Sequence, residues 1–204
     1  MKNILLIVDP QNDFISGSLA VENAEEKMLK LSNYLNEKGS NYDKIYVTMD
    51  SHPENHCSFK ENGGIWPKHC ITNTPSWEIF DHLNKILNDL ENVEYYRKGT
   101  EENKEEYSIF ENNLDGVTLL NNIKNIIEKD FDTFIDVCGI AGDYCVLETI
   151  KGLTELINND YIYILEEFTA SIDGGKKLLE YAENNDINVV YKSENNLNKY
   201  QFNN

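Results

Sequence analysis

"DVCGIAGDYCVLETI", residues 136–150, joins two kinds of local structure in fifteen residues. It opens on a short apolar run that includes Cys138 and closes at Gly139. After Gly142 the pattern changes, and Val146 and Ile150 recur at a four-residue interval. A short apolar run ending at glycine reads as a buried strand, and the segment behind it as a helix. The stretch is therefore a strand that turns into a helix, with Cys145 at the turn. A thiol at such a junction needs a reason.

The same strand-like run recurs along the chain, at 4–8, 45–49, 93–96, 134–137, 161–165 and 187–191. Helical periodicity falls between most of them. Residues 24–38 carry Met28, Leu31 and Leu35 on one face, and Gly39 ends the pattern. Residues 119–129 repeat it with Leu120, Ile123 and Ile127, and 142–157 and 175–184 follow suit. Alternating strands and helices predict an α/β fold: three layers, α/β/α, around a mostly parallel sheet of roughly six strands. No repeat or linker divides the chain, so one domain over residues 1–204 is expected.

Composition narrows the function. With 40% hydrophobic and 26% charged residues, the chain has an ordinary globular balance. Its formal charge of -18 opposes nucleic acid and anionic membranes as partners. Four cysteines are too few for a disulfide framework at this length. The apolar run at 4–8 is cut off by Asp9-Pro10, which suits a first strand better than a secretory leader. A reduced, cytoplasmic setting is the expectation, with thiols free for chemistry.

Parallel strands end on a common edge, where ligands of open α/β sheets bind. The first run ends in Asp9, the second in Asp50 with His52 two residues on, the third leads to Lys98, and the fourth to Cys145. A carboxylate, an ammonium and a thiol converge from distant parts of the chain. A helix head and a nearby lysine both favour a thiolate at Cys145, and Asp9 is the candidate proton acceptor.

Two long connections break the strand–helix rhythm. One, at 51–76, holds three of the four histidines, His52, His56 and His69. Connections of this length are usually functional. Asp50 and His52 lie two apart in an extended segment and share a side, and "WPKHC" brings back His69. Two imidazoles and a carboxylate suit one divalent ion, with zinc first and manganese or iron next. His56 is a further candidate, as a fourth ligand or as a partner of the ligands. A rival arrangement, a structural zinc site using Cys57 and Cys70, lacks the paired C-x-x-C spacing. The other connection, 99–113, carries the acidic run "EENKEE" and reads as a solvated loop near the mouth of the site.

"LLIVDPQNDFISGSLAV", "VTMDSHPENHCSF", "WPKHC", "YYRKG" and "CGIAGDYCV" together resemble the nicotinamidases of the isochorismatase-like cysteine hydrolase superfamily. The resemblance implies a Rossmann-like topology and the hydrolysis of nicotinamide to nicotinate and ammonia, in pyridine nucleotide salvage. It implies that Cys145 is the nucleophile, Asp9 the general base and Lys98 their electrostatic partner. It also implies metal ligation by Asp50, His52 and His69, and a cis Ile140-Ala141 peptide whose Ala141 N–H joins that of Cys145 in an oxyanion hole. Phe14, Trp66 and Tyr107 match the walls of the ring pocket. Two other readings stay open: an amidase acting on a ureido or carbamoyl substrate, and a metal-binding module without turnover.

Overall fold

A computed structural model describes residues 1–111 and 113–191. Residues 192–204 of the expected domain, and Asn112 within the second long connection, lie outside the described residues. Six strands form one sheet: β1 Lys2–Val8, β2 Lys44–Asp50, β3 Val93–Lys98, β4 Thr133–Ile140, β5 Ile162–Ala170 and β6 Asn188–Val190. Their order is β3-β2-β1-β4-β5-β6, and all five pairings are parallel. The sheet is thus wholly rather than mostly parallel, with the strand order of a doubly wound fold.

Two-residue alternation divides each strand between two cores. Leu5 and Ile7 of β1 face a cluster with Met28, Leu31 and Leu35 of α2 (Ala24–Lys38) and Leu83 and Leu87 of α3 (Asp81–Asn88). The short α1 (Asn12–Ile15) lies on that side too. Ile4, Leu6 and Val8 face the other cluster, with Leu119 and Ile123 of α4 (Leu114–Lys129), Ile150 and Leu153 of α5 (Leu147–Thr154), and Leu178 and Ala182 of α6 (Lys176–Asn184). Both faces are covered, which accounts for strands that read as unbroken apolar runs.

Departures from the sequence reading have local causes. Helix α4 begins at Leu114 rather than 119, because Asn113 caps it by accepting from Gly116 N–H. Leu114 and Val117 are exposed and blur the periodicity of that first turn. The stretch 142–157 is not one helix: Gly142–Val146 forms a π-helical turn, and α5 follows it. Strand β5 continues past Leu165 through the half-buried Glu166 and Glu167, with a register slip against β4 between Val137 and Gly139. Helix α1 is too short to show a period, whereas α3 carries Leu83, Ile86 and Leu87 at helical spacing, a signal the sequence reading passed over.

Gly139 lets the ends of β1 and β4 close up. Its φ is 130°, and an added Cβ would lie 2.0 Å from the Val8 carbonyl oxygen, so no larger residue fits. No helix among the described residues is long and apolar enough to cross a membrane.

Leu31 is fully buried against β1. Leu31→Ala should therefore lower the unfolding free energy by about 2–5 kcal/mol in urea denaturation. Cys138 is a buried apolar group in β4, and Cys138→Ala should cost about 1 kcal/mol while leaving the strand-end cluster intact.

Candidate active site

The carboxyl ends of β1, β2, β3 and β4 place four side chains around one point. Asp9 follows β1, Asp50 and Lys98 end β2 and β3 as register partners, and Cys145 sits in the π-helical turn after β4. Strand order reverses direction between β1 and β4, so Asp9 and Cys145 flank the crevice where such sheets bind ligands.

Lys98 is the hub. Its Nζ lies 2.8 Å from Asp9 Oδ2, 2.5 Å from Asp50 Oδ1 and 3.5 Å from Cys145 Sγ, and it donates to the Glu106 carbonyl at 3.3 Å. Asp9 and Lys98 are fully buried, and Asp50 and Cys145 nearly so. Asp9 adopts a left-handed φ of 47°, a conformation that costs a non-glycine residue on the order of 1–2 kcal/mol. Main-chain bonds hold it there: Asp9 N–H to the Thr48 carbonyl at 3.1 Å and Gln11 N–H to the Asp9 carbonyl at 2.8 Å. The Thr48 hydroxyl adds a 2.7 Å bond to Asp9 Oδ1.

Burial works against every charge here, and neighbours decide the outcome. For Lys98, burial disfavours the ammonium, but Asp50, Asp9 and Cys145 outweigh it and hold its pKa well above the ordinary value. For Asp50, burial is outweighed by Lys98, His52 and His69, so the carboxyl stays below the usual range. Asp9 goes the other way: burial and the Asp50 charge exceed the pull of Lys98 and raise it. Burial also raises the Cys145 thiol far above its ordinary value, with Asp9 and Asp50 adding to the effect and Lys98 opposing it. This corrects the expectation of a thiolate favoured by a helix head and a lysine. Two buried carboxylates beside one ammonium leave the thiol protonated at rest.

Asp50 divides its oxygens. While Oδ1 holds Lys98, Oδ2 lies 3.6 Å from His52 Nε2 and 3.9 Å from His69 Nε2. The ligand atoms of these three residues all fall within 4.8 Å of one another. His52 Nδ1 bonds the Gly99 carbonyl at 2.9 Å, and His69 Nδ1 bonds the Pro67 carbonyl at 2.8 Å. Carbonyls only accept, so each Nδ1 carries a proton, and in the neutral ring each Nε2 presents a lone pair. His52 Nε2 is buried without any hydrogen-bond partner. A buried, unpartnered imidazole nitrogen beside a carboxylate and a second imidazole fits one divalent metal ion.

His56 stands apart from this donor set. Its Nε2 bonds the Lys104 carbonyl at 2.8 Å, its Nδ1 takes the Ser58 hydroxyl at 2.7 Å, and its ring stacks on His52 with centroids 3.9 Å apart. Both nitrogens are engaged, so of the two alternatives for His56 the geometry favours partner over ligand. His52, His56 and Glu105 also approach within 4.8 Å, but the same bonds occupy His56. Neither Cys57 nor Cys70 joins a cluster of three candidate ligands among the described residues, which removes the support for a structural zinc there.

Cys145, Asp50 and His69 open into a cavity that Phe14, Trp66, Tyr107 and Ala141 also line. Trp66 Nε1–H donates to the Tyr107 hydroxyl at 3.0 Å, and both rings meet Tyr144, 5.1 Å and 5.8 Å away between centroids. The Ile140-Ala141 peptide is cis. Sequence reasoning missed Leu19, Val21 and Ile172 as lining residues. It also missed Gln11, whose side chain clamps Asp50 by donating to its carbonyl and accepting from its N–H, both at 2.8 Å. The polar "DPQND" directly after a strand was the available signal for Gln11. The acidic run is not one solvated rim either: Glu101 and Glu102 are exposed, Glu105 faces the cavity, and Glu106 is buried.

The family model for the isochorismatase domain matches residues 3–176. The nicotinamidase/pyrazinamidase of Mycobacterium tuberculosis is 34% identical, over 82% of this chain and 86% of its own length. The nicotinamidase of Saccharomyces cerevisiae is 28% identical, over 92% of this chain and 99% of its own. Among solved structures, the pyrazinamidase of Pyrococcus horikoshii in complex with zinc superposes with a TM-score of 0.76 and 30% identity, covering 93% of this chain and 99% of that one. With residues 3–176 matched by that model, most of its length, the chain belongs to the isochorismatase-domain family.

Proposed function

We propose that the chain is a nicotinamidase, a cysteine amidohydrolase that converts nicotinamide and water to nicotinate and ammonia. The observation that carries this reading is the buried Lys98 ammonium, which touches Cys145 Sγ and joins Asp9 to Asp50 beside an aromatic cavity. The names of the relatives agree with it.

Phe14, Trp66 and Tyr107 hold the pyridine ring between apolar faces, with the carboxamide toward Cys145. Cys145 Sγ forms a bond to the amide carbon as its proton passes to Asp9, whose raised pKa suits it to accept. The N–H groups of Ala141 and Cys145 serve the oxyanion, and losing one such donor typically costs about 3 kcal/mol. Asp9 returns the proton to the leaving nitrogen, ammonia departs, and a thioester remains on Cys145. Asp9 then takes a proton from water as the water oxygen bonds the thioester carbon. The C–S bond breaks, the departing sulfur recovers that proton from Asp9, and the acid leaves as nicotinate with its own proton lost to solvent. Lys98 stays charged throughout and keeps both carboxylates in place. Asp50, His52 and His69 would hold one divalent metal ion, zinc by preference, which when bound supplies a Lewis-acid contact to orient the ring nitrogen. A ureido or carbamoyl substrate has no use for that donor set or for three aromatic walls.

Incubation with nicotinamide and an ammonia assay tests the reading directly; no ammonia above a protein-free control ends it. Cys145→Ala should leave less than about a hundredth of wild-type turnover with fold and metal content kept. Asp9→Asn should lower turnover by about 100- to 10,000-fold, the range for a general base.

Dialysis against a chelator should weaken substrate binding, and Zn²⁺, Mn²⁺ or Fe²⁺ should restore it. Elemental analysis should find His69→Ala depleted of metal, because one of three protein ligands is gone. The double variant Cys57→Ser/Cys70→Ser should keep its metal; loss there would return the structural-zinc arrangement.

A further inference from the structure

Glu106 is the one glutamate of the acidic run that is fully buried, with 1% of its surface exposed. A buried carboxylate is tolerated when donors surround it. Glu106 Oε2 accepts from Gly99 N–H at 2.8 Å and from Asn113 Nδ2 at 3.2 Å, while Oε1 takes Lys104 Nζ at 2.5 Å. Asn113 in turn caps α4, so the carboxylate is anchored to a helix.

Two of these contacts lead to the same imidazole. Gly99 has a φ of 65°, and an added Cβ would lie 2.4 Å from His52 Cε1, so this backbone presses directly on the ring. The Gly99 carbonyl accepts from His52 Nδ1–H, and Glu106 grips the N–H of the same residue. Glycine has the most backbone freedom of any residue, so fixing its N–H is what keeps its carbonyl aimed. The second route runs through Lys104, whose ammonium meets Glu106 and whose carbonyl accepts from His56 Nε2–H. His56 stacks on the other side of His52.

We propose that Glu106 is a positioning residue for the metal site, aiming His52 Nε2 through the Gly99 backbone and the Lys104–His56 stack. The proposal rests on the metal-binding reading of Asp50, His52 and His69. Partners of this kind set ring orientation and tautomer, and removing one typically weakens metal binding about 10- to 100-fold.

The test compares wild type, Glu106→Ala, Glu106→Gln and the exposed control Glu101→Ala by zinc competition against a chromophoric chelator. Visible spectra of the cobalt-loaded proteins report on coordination independently of turnover. Glu106→Ala should bind zinc about 10- to 100-fold more weakly with altered cobalt bands. Glu106→Gln keeps an oxygen for Gly99 N–H and should restore most of the affinity, and Glu101→Ala should match wild type. Wild-type zinc affinity and cobalt bands in a folded Glu106→Ala would overturn the proposal, as would equal weakening in Glu101→Ala. If Glu106→Ala does not fold, Glu106→Asp decides, since one methylene less withdraws the carboxylate from Gly99; unchanged affinity there overturns the proposal too. A wild type that binds zinc but releases no ammonia refutes the nicotinamidase reading alone. A wild type that binds neither zinc nor cobalt overturns the proposal and the metal-binding reading beneath it, while ammonia release still decides the nicotinamidase reading.

Discussion

The site depends on one buried ammonium. Lys98 sits with no exposure between the carboxylates of Asp9 and Asp50, and none of these charges could be buried without the others. Desolvating an unpaired ion costs several kcal/mol, so removing the lysine would leave two like charges facing each other in a dry crevice. Three strands hold this arrangement. Asp50 and Lys98 are neighbours in register across β2 and β3, and Asp9 hangs from the end of β1 in a left-handed turn tied to Thr48. The sheet therefore sets the charge geometry through main-chain pairing, which loops alone could not hold as firmly.

Lys98 also joins two functions. It touches the Cys145 thiol directly and, through Asp50, reaches the paired imidazoles. Asp50 belongs to both groups, with one oxygen for the ammonium and the other turned to His52 and His69. A shift of its carboxylate is felt on both sides. Gln11 restrains that shift by bonding the Asp50 peptide on both its N–H and its carbonyl.

Much of this was legible because apolar strands stop abruptly at charges. Asp9 and Asp50 each close a run of buried residues, Lys98 ends the partly exposed edge strand β3, and a parallel sheet brings such ends to one edge. His52 and His69 were legible from their crowding in one long connection. Other features depend on distances that no local pattern encodes. Glu106 shares a run with exposed glutamates, and its contacts with Gly99, Lys104 and Asn113 hold it inward. His56 has the residue type and location of a ligand, yet its nitrogens are spent on Ser58 and Lys104. Helix α1 is too short to print a period, and the exposed Leu114 and Val117 obscured the first turn of α4, whereas α3 was legible in Leu83, Ile86 and Leu87 and was passed over.

The direction of the thiol shift was the deepest of these, because it is a balance between opposing effects. A lysine 3.5 Å away draws the proton off Cys145, but burial and two carboxylates hold it on, and they win. Asp9 is raised for a related reason, since burial and the charge of Asp50 act on it too. A raised acid beside a raised thiol is suited to exchange a proton between them, because neither gains from keeping a charge in the crevice. In the proposed mechanism the nucleophile is made as Asp9 becomes neutral, and the pair carries one negative charge before and after the transfer. The ammonium of Lys98 contacts both sites of that charge, 2.8 Å from one and 3.5 Å from the other, and so moves little as the charge crosses. A fixed cation serving both ends of a proton transfer requires little reorganisation, which is the physical advantage of electrostatic preorganisation in a buried site.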